Sequence, residues 1–446
     1  MKILIVSTYF PPQNSIASLR PYSWAKYWSK MGHDITVLTT KKEKCDVDLA
    51  LSTNDFNVID IGDYQPFKKI NSIVIQSENS INSAKRNNNI INNVFYKLLK
   101  FIKKLYIDFS AKTGCFYTCR FPDWHDLWAK KIISIIKNEY WDVVISTGGP
   151  YSVHRVGYWL KRNKKTNYWV IDWRDLWVDN HIFKGIFLFW PYENYLEHKF
   201  HKYCDFITTV SEPIADILRE KTNKPVYVIY NGFDVDEYKY LPEEPIFPKD
   251  DIIRIVYTGT IYKGKRDPSP LFEAINNLYK NNIVTPDKLK IIFAGSNANT
   301  LQLAESYGIT SFCEFKGIML REDALRMQRD CDVLLFLEFG STKIEGILTG
   351  KIFEYLFSSK PIWAIGIKEN SSAGKIIIET NRGIVLGNDI NKIKEEIIKI
   401  LNNKKTLKNQ KQNKSVNEKI LFYSREKQAD LLLDNIISNF KILQKI

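Results

Sequence analysis

The chain has 446 residues, which is too long for one ordinary hydrophobic core and predicts two or three domains. Hydrophobic residues make up 44% of it and charged residues 26%, a mixture that excludes a disordered or fibrous protein. Lysine plus arginine exceed aspartate plus glutamate by 64 to 50, and the resulting net charge of +14 favours anionic partners such as lipid headgroups, nucleic acid or phosphorylated substrates.

The sequence shows no sign of a disulfide framework, a cleaved signal peptide or a membrane span. The cysteines are scattered, and the closest two, Cys115 and Cys119, have no second thiol pair nearby, so we expect reduced thiols. The opening run MKILIVSTYFPP lacks a small-residue cleavage site and predicts a first strand. No run approaches the roughly 18–20 apolar residues of a spanning helix. We therefore expect a cytoplasmic protein that is free or peripheral on the inner face of the cytoplasmic membrane.

The first half of the chain alternates apolar strands with helices. A strand at 2–7, a helix at 16–31 and a strand at 34–39 form a βαβ unit, which predicts a parallel sheet. Residues 43–92 are polar and Asn-rich and predict long loops around a short strand at 58–61. Further on, the patterns predict strands at 142–146, 168–172, 206–210 and 226–229, and helices at 153–160, 190–203 and 213–220.

The second half repeats this alternation after a break. Residues 239–252 contain three prolines and a charge cluster, which suits an interdomain linker. The predicted strands are 253–258, 289–294, 312–315, 332–336 and 361–365. The predicted helices are 270–280, 300–307, 321–329 and 349–357. The last βα units run from about 374 to 401, and a final helix starts at Ser424. The layout predicts an α/β protein with two doubly wound, Rossmann-like domains facing a central cleft, divided near residue 240, with ligands at the carboxyl ends of the strands.

Common nucleotide-binding and hydrolase motifs are absent from the sequence. It contains no GxxxxGK[ST] and no GxGxxG after the first strand, which disfavours a P-loop enzyme and a dehydrogenase. It also contains no GxSxG and no HExxH.

Three blocks of the first half follow predicted strands. Ser15 and Arg20 flank a run of small residues at a helix start, where a phosphate could approach the backbone, although an ordinary βα loop has the same pattern. His154 lies in TGGPYSVH at the start of another helix, where it could meet a substrate, although a lone histidine in such a place is more often structural or exposed. The third block is DWRD, residues 172–175. Its two carboxylates flank a guanidinium, and such charges are costly to bury unless they form a structural ion pair or serve in chemistry.

Two blocks of the second half suit a diphosphate. Gly259 permits close approach after the first strand of this half, and Lys263, Lys265 and Arg266 follow it, although a solvated basic turn is the alternative. Thr349 begins a predicted helix whose free amides would face a diphosphate. Glu354, about one turn into that helix, is placed to accept both hydroxyls of a ribose.

Together these blocks resemble the GT-B glycosyltransferases, specifically the retaining glycosyltransferase family 4. The resemblance covers nearly the whole chain and rests on the order and spacing of the motifs: YFPP with Arg20, TGGPYSVH, DWRDLW, the Gly259 turn and GKIFEYL. It implies a GT-B fold with two domains. The first domain, residues 1–240, would bind the acceptor, and the second, residues 241–415, would bind a nucleotide sugar. The final helix, about 424–446, would return to the first domain.

The resemblance also implies roles for individual residues. Glu354 matches the second Glu of the family's E-x7-E pattern and would hold the ribose, and Lys265 or Arg266 matches the diphosphate-binding cations. The first Glu of the pattern falls on Gly346, with Glu345 one position early. The residues assigned to catalysis are His154, Asp172, Arg174, Asp175 and Glu345. The residues assigned to the donor are Ser15, Arg20, Gly259, Thr260, Lys265, Arg266, Thr349, Gly350, Lys351 and Glu354.

The expected substrates are a nucleotide diphosphate sugar and a glycan or lipid-linked acceptor. Because no DxD-type motif is evident, we expect no essential metal and no other cofactor. Two alternatives stay open: a GT-B-fold epimerase acting on a sugar nucleotide, and a non-enzymatic basic module that binds membrane or nucleic acid. The carboxylates at the predicted strand ends disfavour the basic module, so no nucleic-acid partner is expected.

Residues 94–108, VFYKLLKFIKKLYID, form a basic amphipathic segment. The apolar residues Phe95, Leu98, Leu99, Ile102 and Leu105 share one helical face, and Lys97, Lys100, Lys103 and Lys104 lie mostly elsewhere. This pattern is typical of a helix that lies on an anionic membrane. A helix packed on the core with a solvated basic face is the alternative.

Overall fold

The computed structural model describes residues 1–42, 49–62, 90–116, 118–180, 182–261, 266–295, 298–338, 348–407 and 418–443. The chain divides into two compact units, the first made mainly of residues 1–228 and the second mainly of residues 229–446. Within the described ranges, no helix is long and apolar enough to cross a membrane.

The first unit is a parallel sheet covered by helices. Its strands are β1 (Lys2–Val6), β2 (Asp34–Thr40), β3 (Asn57–Ile61), β4 (Cys115–Phe116), β5 (Arg120–Asp123), β6 (Trp141–Thr147), β7 (Thr166–Trp173), β8 (Phe206–Thr209) and β9 (Val226–Val228). Its helices are α1 (Ile16–Lys30), α2 (Ile90–Thr113), α3 (His125–Ile136), α4 (Ser152–Arg162), α5 (Trp190–Tyr203) and α6 (Glu212–Lys221). Among the described residues, the main sheet has the order β3-β2-β1-β6-β7-β8-β9, and β4 pairs with β5 separately.

The strand order of this sheet reverses between β1 and β6. β1 pairs in parallel with β2 on one side and with β6 on the other. The strand residues Ile3–Val6 are fully buried, which explains their continuous apolar run. Loops that leave neighbouring strands in opposite directions open a crevice at such a reversal, and this is where doubly wound domains bind ligands.

The second unit has the same architecture. Its strands are β10 (Ile253–Thr258), β11 (Leu289–Ala294), β12 (Cys313–Gly317), β13 (Val333–Leu337), β14 (Ile362–Ile365) and β15 (Gly383–Gly387). Its helices are α7 (Val235–Lys239), α8 (Ser269–Lys280), α9 (Ala298–Ser306), α10 (Arg321–Asp330), α11 (Lys351–Phe357), α12 (Ser372–Glu379), α13 (Ile390–Leu407), α14 (Glu418–Leu421) and α15 (Arg425–Leu443). The described strands have the order β12-β11-β10-β13-β14-β15, and this order reverses between β10 and β13.

Both faces of the second sheet are covered, as expected for a doubly wound domain. Ile255 and Leu335 belong to one buried apolar cluster, and Val256 and Leu334 belong to the cluster on the other face. Successive strand residues point to opposite faces, so both faces need helices to exclude water.

The second unit begins at Ile229, whereas the sequence placed the boundary near residue 240. Phe233 explains the difference. Its side chain is fully buried in the core of the second unit, and its ring stacks on Phe357 with centroids 4.6 Å apart. Its backbone N–H donates to the carbonyl of Tyr423, and its carbonyl accepts from the N–H of Arg425. The final helix is part of the second unit, and its predicted return to the first domain stays a prediction.

Most predicted elements are present within a few residues, but α3 was not predicted. Its buried side chains Trp128, Ala129, Ile132 and Ile136 have the spacing of one helical face. Helix α11 begins at Lys351, two residues after the expected start, and has seven residues.

We expect Phe233→Ala to destabilise the second unit by about 3–5 kcal/mol, because it removes a large buried ring and leaves a cavity. Urea unfolding followed by far-UV circular dichroism measures this effect. Tyr240→Ala is the matched control, since the Tyr240 side chain is 77% exposed. Equal unfolding midpoints for the two variants would contradict the role of Phe233 in the core of the second unit.

Candidate functional site

Asp172, at the end of β7, is held in a buried hydrogen-bond network. Its two oxygens accept one hydrogen bond each from Arg20. Nε donates to Oδ2 at 3.0 Å, and Nη2 donates to Oδ1 at 2.7 Å. The hydroxyls of Thr147 and Thr208 each donate to it at 2.8 Å. Burial raises the pKa of Asp172, but the Arg20 charge and these hydrogen bonds outweigh burial and hold the pKa below its usual value. These contacts favour a structural ion pair over the catalytic role assigned to Asp172 and the donor-binding role assigned to Arg20.

Arg174 contacts three loops at the same edge of the sheet. Its guanidinium donates to the carbonyl of Gly148 at 2.7 Å and to that of Ala17 at 3.0 Å, and it lies 5.3 Å from the centre of the Tyr9 ring. Arg174 therefore connects the loops after β1, β6 and β7. Asp175 is exposed, and it makes no hydrogen bond or ion pair within the described ranges.

Ser15 is the N-cap of α1. Its side chain accepts from the backbone N–H of Ala17 at 3.2 Å, which satisfies one of the free amides of the helix start. The structure thus gives Ser15 a local structural contact, and the donor-binding role assigned to it stays a prediction.

His154 is fully buried in the first turn of α4. Its Nδ1 lies 2.8 Å from the hydroxyl of Ser146, and that hydroxyl accepts from the indole N–H of Trp169 at 2.9 Å. The Ser146 hydroxyl accepts the hydrogen bond from Trp169, so its own O–H is free to donate to Nδ1. The proton of the neutral imidazole then lies on Nε2. Burial lowers the pKa of His154 to about 3, so the ring is neutral.

The Nε2 atom of His154 is a buried donor without a hydrogen-bond partner among the described residues. A Cβ atom placed on Gly148 would lie 3.0 Å from it, so a larger residue at this position would press on Nε2. The imidazole also contacts Trp173 edge-on, with ring centroids 4.1 Å apart. His154 is therefore oriented and neutral, with one N–H available to a ligand at the end of β6.

The turn after β10 forms the corresponding edge of the second unit. The carbonyl of Thr260 accepts from the hydroxyl of Tyr257 at 3.0 Å and from Nη1 of Arg266 at 2.8 Å. Gly259 has φ +122°, and a Cβ atom there would lie 2.8 Å from Nζ of Lys351. The backbone conformation therefore favours glycine at this position, and a larger residue would displace the Lys351 side chain.

Lys351 and Glu338 are buried beside this turn. The Nζ of Lys351 lies 3.7 Å from the centre of the Tyr257 ring, and it makes no hydrogen bond with a described residue. Burial and the charge of Arg266 lower the pKa of Lys351 well below its usual value. Burial raises the pKa of Glu338 to about 8, although Arg266 and Lys351 act in the opposite direction. The sequence analysis missed Glu338, and the available signal was a carboxylate directly after the apolar strand β13.

Glu354 belongs to a chain of ion pairs. Its carboxylate accepts from Nη2 of Arg321 at 2.9 Å and contacts Nε2 of Gln328 at 3.4 Å. Arg321 also binds Glu237 through two hydrogen bonds of 2.6 and 2.8 Å, and Arg425 donates to Glu237 at 3.1 Å. These two arginines lower the pKa of Glu237 to about 2 although burial raises it. The network fixes the Glu354 side chain and leaves lone pairs on its oxygens for further donors.

The start of α11 differs from the expectation. The carbonyls of Thr349 and Gly350 accept from the N–H groups of Ile352 and Phe353, at 3.3 and 3.2 Å. The first turn is therefore already partly satisfied, and the positive charge near it comes from Lys351. Two further assigned residues, Lys265 and Glu345, lie outside the described residues. Within the described residues, no group of three His, Cys, Asp or Glu side chains is placed to hold a metal ion.

Comparisons with known proteins identify the fold. Residues 112–237 match the model of Glycosyltransferase Family 4. No curated protein matches the sequence. Sucrose-phosphate synthase from Thermosynechococcus elongatus is similar in structure, with a TM-score of 0.61 over 99% of both chains at 12% identity. WaaG, a glycosyltransferase involved in lipopolysaccharide biosynthesis, has a TM-score of 0.52 over 96% of this chain and 99% of its own, at 13% identity.

A UDP-N-acetylglucosamine 2-epimerase is also similar, with a TM-score of 0.52 over 99% of this chain and 96% of its own, at 11% identity. At such identities the likeness shows the fold and leaves the reaction to be argued from the site. The chain has the GT-B fold of two Rossmann-like domains, and it resembles glycosyltransferase family 4.

Proposed function

We propose that the protein is a glycosyltransferase that moves a sugar, with retention of configuration, from a nucleotide diphosphate sugar to a glycan or lipid-linked acceptor in surface polysaccharide synthesis. The observation that supports this proposal is the buried Nζ of Lys351, which has no hydrogen-bond partner among the described residues. It lies beside Gly259 at the strand reversal of the second unit, where the family match and the fold lead us to expect the donor.

A diphosphate fits the chemistry of this edge. A buried ammonium group without a partner is costly, and an anion that hydrogen-bonds to it offsets the cost and restores its charge. Arg266 supplies a second cation, and Gly259 leaves space for phosphate oxygens. In the reaction, the same two cations would stabilise the charge that develops on the departing diphosphate. No essential metal or cofactor is part of this proposal.

Other residues then take separate roles. Glu354 accepts hydrogen bonds from the ribose hydroxyls through its remaining lone pairs. The Nε2–H of His154, in the first unit, donates to a hydroxyl of the acceptor. Arg174 and Arg20 keep the loops around His154 in place, and Asp175 is the carboxylate of this edge that is exposed to an incoming acceptor.

The described part of helix α2 supports attachment to an anionic membrane. The helix packs on its unit through hydrogen bonds and ring contacts. The hydroxyl of Tyr106 accepts from the indole of Trp124 at 2.9 Å, Ser110 donates to the carbonyl of Cys115 at 2.6 Å, and the Tyr106 ring lies 5.2 Å from that of Phe116. The opposite face presents Phe101 and Leu105, which are 58% and 53% exposed. An apolar face turned to solvent is the reverse of an ordinary surface helix, and it suits insertion into a lipid surface.

A second apolar segment of the same unit lies near the end of this helix. The N–H of Gly185 donates to the carbonyl of Thr113 at 3.0 Å, which joins residues 182–189 to the end of α2. Two side chains of this segment, Phe187 and Leu188, are 68% and 69% exposed. Membrane attachment would explain both exposed segments and would bring the protein to a lipid-linked acceptor.

The epimerase alternative is kept because a 2-epimerase shares the fold. Incubation with nucleotide sugars alone separates the two reactions, since an epimerase converts the sugar without an acceptor. Nucleotide release that depends on an added acceptor would support the transferase, and accumulation of an epimer would contradict it.

We expect the protein to bind at least one of UDP, GDP and ADP, and we expect Lys351→Met to lower that affinity tenfold or more. The change removes the buried cation and retains the length of the side chain, and a hydrogen bond to a charged group contributes about 1.5–3 kcal/mol. Titration calorimetry gives the dissociation constants. Lys375→Met, at an exposed position of the same unit, is the control. An unchanged affinity in Lys351→Met would contradict the proposed diphosphate site.

We expect Glu354→Gln and His154→Ala to separate binding from turnover. Glu354→Gln weakens the hydrogen bonds to the ribose, so nucleoside diphosphate affinity should fall about tenfold, while exposed Glu322→Gln should leave it unchanged. His154→Ala should bind the nucleotide normally and lose most acceptor-dependent nucleotide release, measured with EDTA present. The assignment is wrong if the two variants exchange these phenotypes. Circular dichroism of both variants is the control for folding.

We expect the triple change Lys100→Gln, Lys103→Gln and Lys104→Gln to release the protein from vesicles that contain phosphatidylglycerol. Each lysine near an anionic surface contributes about 1 kcal/mol, so binding should fall on the order of 100-fold at low salt. The charge-matched control changes three lysines of the second unit instead: Lys280, Lys288 and Lys375. Equal co-sedimentation of both triple variants would argue against attachment through α2.

A further inference from the structure

Glu338 follows β13 at the strand reversal of the second unit, and no motif of the sequence analysis includes it. The side chain is 8% exposed, and both carboxylate oxygens are buried without a hydrogen-bond partner among the described residues. Buried carboxylates are normally paired or hydrogen-bonded, because leaving them unsatisfied costs free energy. An unsatisfied carboxylate at a ligand-binding edge therefore indicates a partner that the described residues do not supply.

The neighbours of Glu338 define what that partner can be. Arg266 and Lys351 both act electrostatically on its carboxyl group, and Lys351 Nζ is likewise buried without a partner. Opposite charges in a dry site attract strongly, yet Glu338 and Lys351 make no hydrogen bond to each other. A ligand that satisfies both would present an anionic group to the cations and a hydrogen-bond donor to the carboxylate.

A nucleotide sugar has both groups adjacent in one molecule. Its diphosphate suits Lys351 and Arg266, but it would repel an ionised carboxylate. The sugar attached to the diphosphate carries neutral hydroxyls, and a carboxylate can accept hydrogen bonds from two of them.

We propose that Glu338 binds hydroxyl groups of the transferred sugar, beside a diphosphate held by Lys351 and Arg266. This inference rests on the proposed function and adds to it the residue that recognises the sugar. Hydrogen bonds with two hydroxyls would satisfy the carboxyl group and fix the orientation of the sugar relative to the leaving group.

The test compares nucleoside diphosphates with their sugar conjugates. The probes are UDP, GDP and ADP, and the glucose, galactose and N-acetylglucosamine conjugates of each, titrated into wild-type protein and into Glu338→Met. We expect Glu338→Met to bind the nucleoside diphosphate within about twofold of wild type and to lose about tenfold or more in affinity for the conjugate. Glu305→Met, at an exposed position of the same unit, should change neither affinity.

Thermal unfolding supplies an independent readout. Replacing an unsatisfied buried carboxylate by an apolar side chain of similar size should stabilise the ligand-free protein, raising its Tm by roughly 2–4 °C. A lower Tm in Glu338→Met, or an unchanged affinity for the sugar conjugate, would overturn the role of Glu338 while leaving the diphosphate site intact. If wild-type protein bound none of the probes, both this inference and the proposed function would fail.

Discussion

A charge removed from water must be paired or hydrogen-bonded, and this constraint organises the strand ends of both units. In the first unit it is met at Asp172, because this buried carboxylate receives the guanidinium of Arg20 and two threonine hydroxyls. In the second unit, Glu354, Arg321 and Glu237 satisfy one another in the same way. The same constraint is not met at Lys351 and Glu338, so these two groups mark where a ligand would complete the structure.

The sequence was sufficient to predict the fold because parallel sheets buried on both faces leave a direct signal. The apolar runs at Ile3–Val6 and Val333–Leu337 are fully or almost fully buried, and each is followed by polar residues at the sheet edge. The sequence also located most strand-end blocks that the structure brings to those edges. Helix α3 was missed, although Asp123 precedes it as a helix-start signal and Trp128 and Ile132 have helical spacing.

The sequence could not predict which of those side chains are already paired with other side chains of the protein. Arg20 and Asp172 are separated by 152 positions, so their pairing depends on the packing of α1 against the end of β7. Glu338 is the opposite case, because its carboxylate has no hydrogen-bond donor among the described residues. A single Glu after a strand does not reveal this in the sequence. Local patterns identify candidates, whereas long-range contacts decide between a structural ion pair and a group that is available to a ligand.

The burial of Phe233 determines where this protein can be recombined with a relative. A chimera joined at residue 240 would carry Phe233 from one parent into a core built from the other, against a foreign counterpart of Phe357. It would also place the backbone partners of Phe233, residues 423 and 425, on the other parent. A junction between Val228 and Ile229 keeps these partners from one parent, so exchange of donor specificity between related enzymes should use that cut and should include the segment through Arg425.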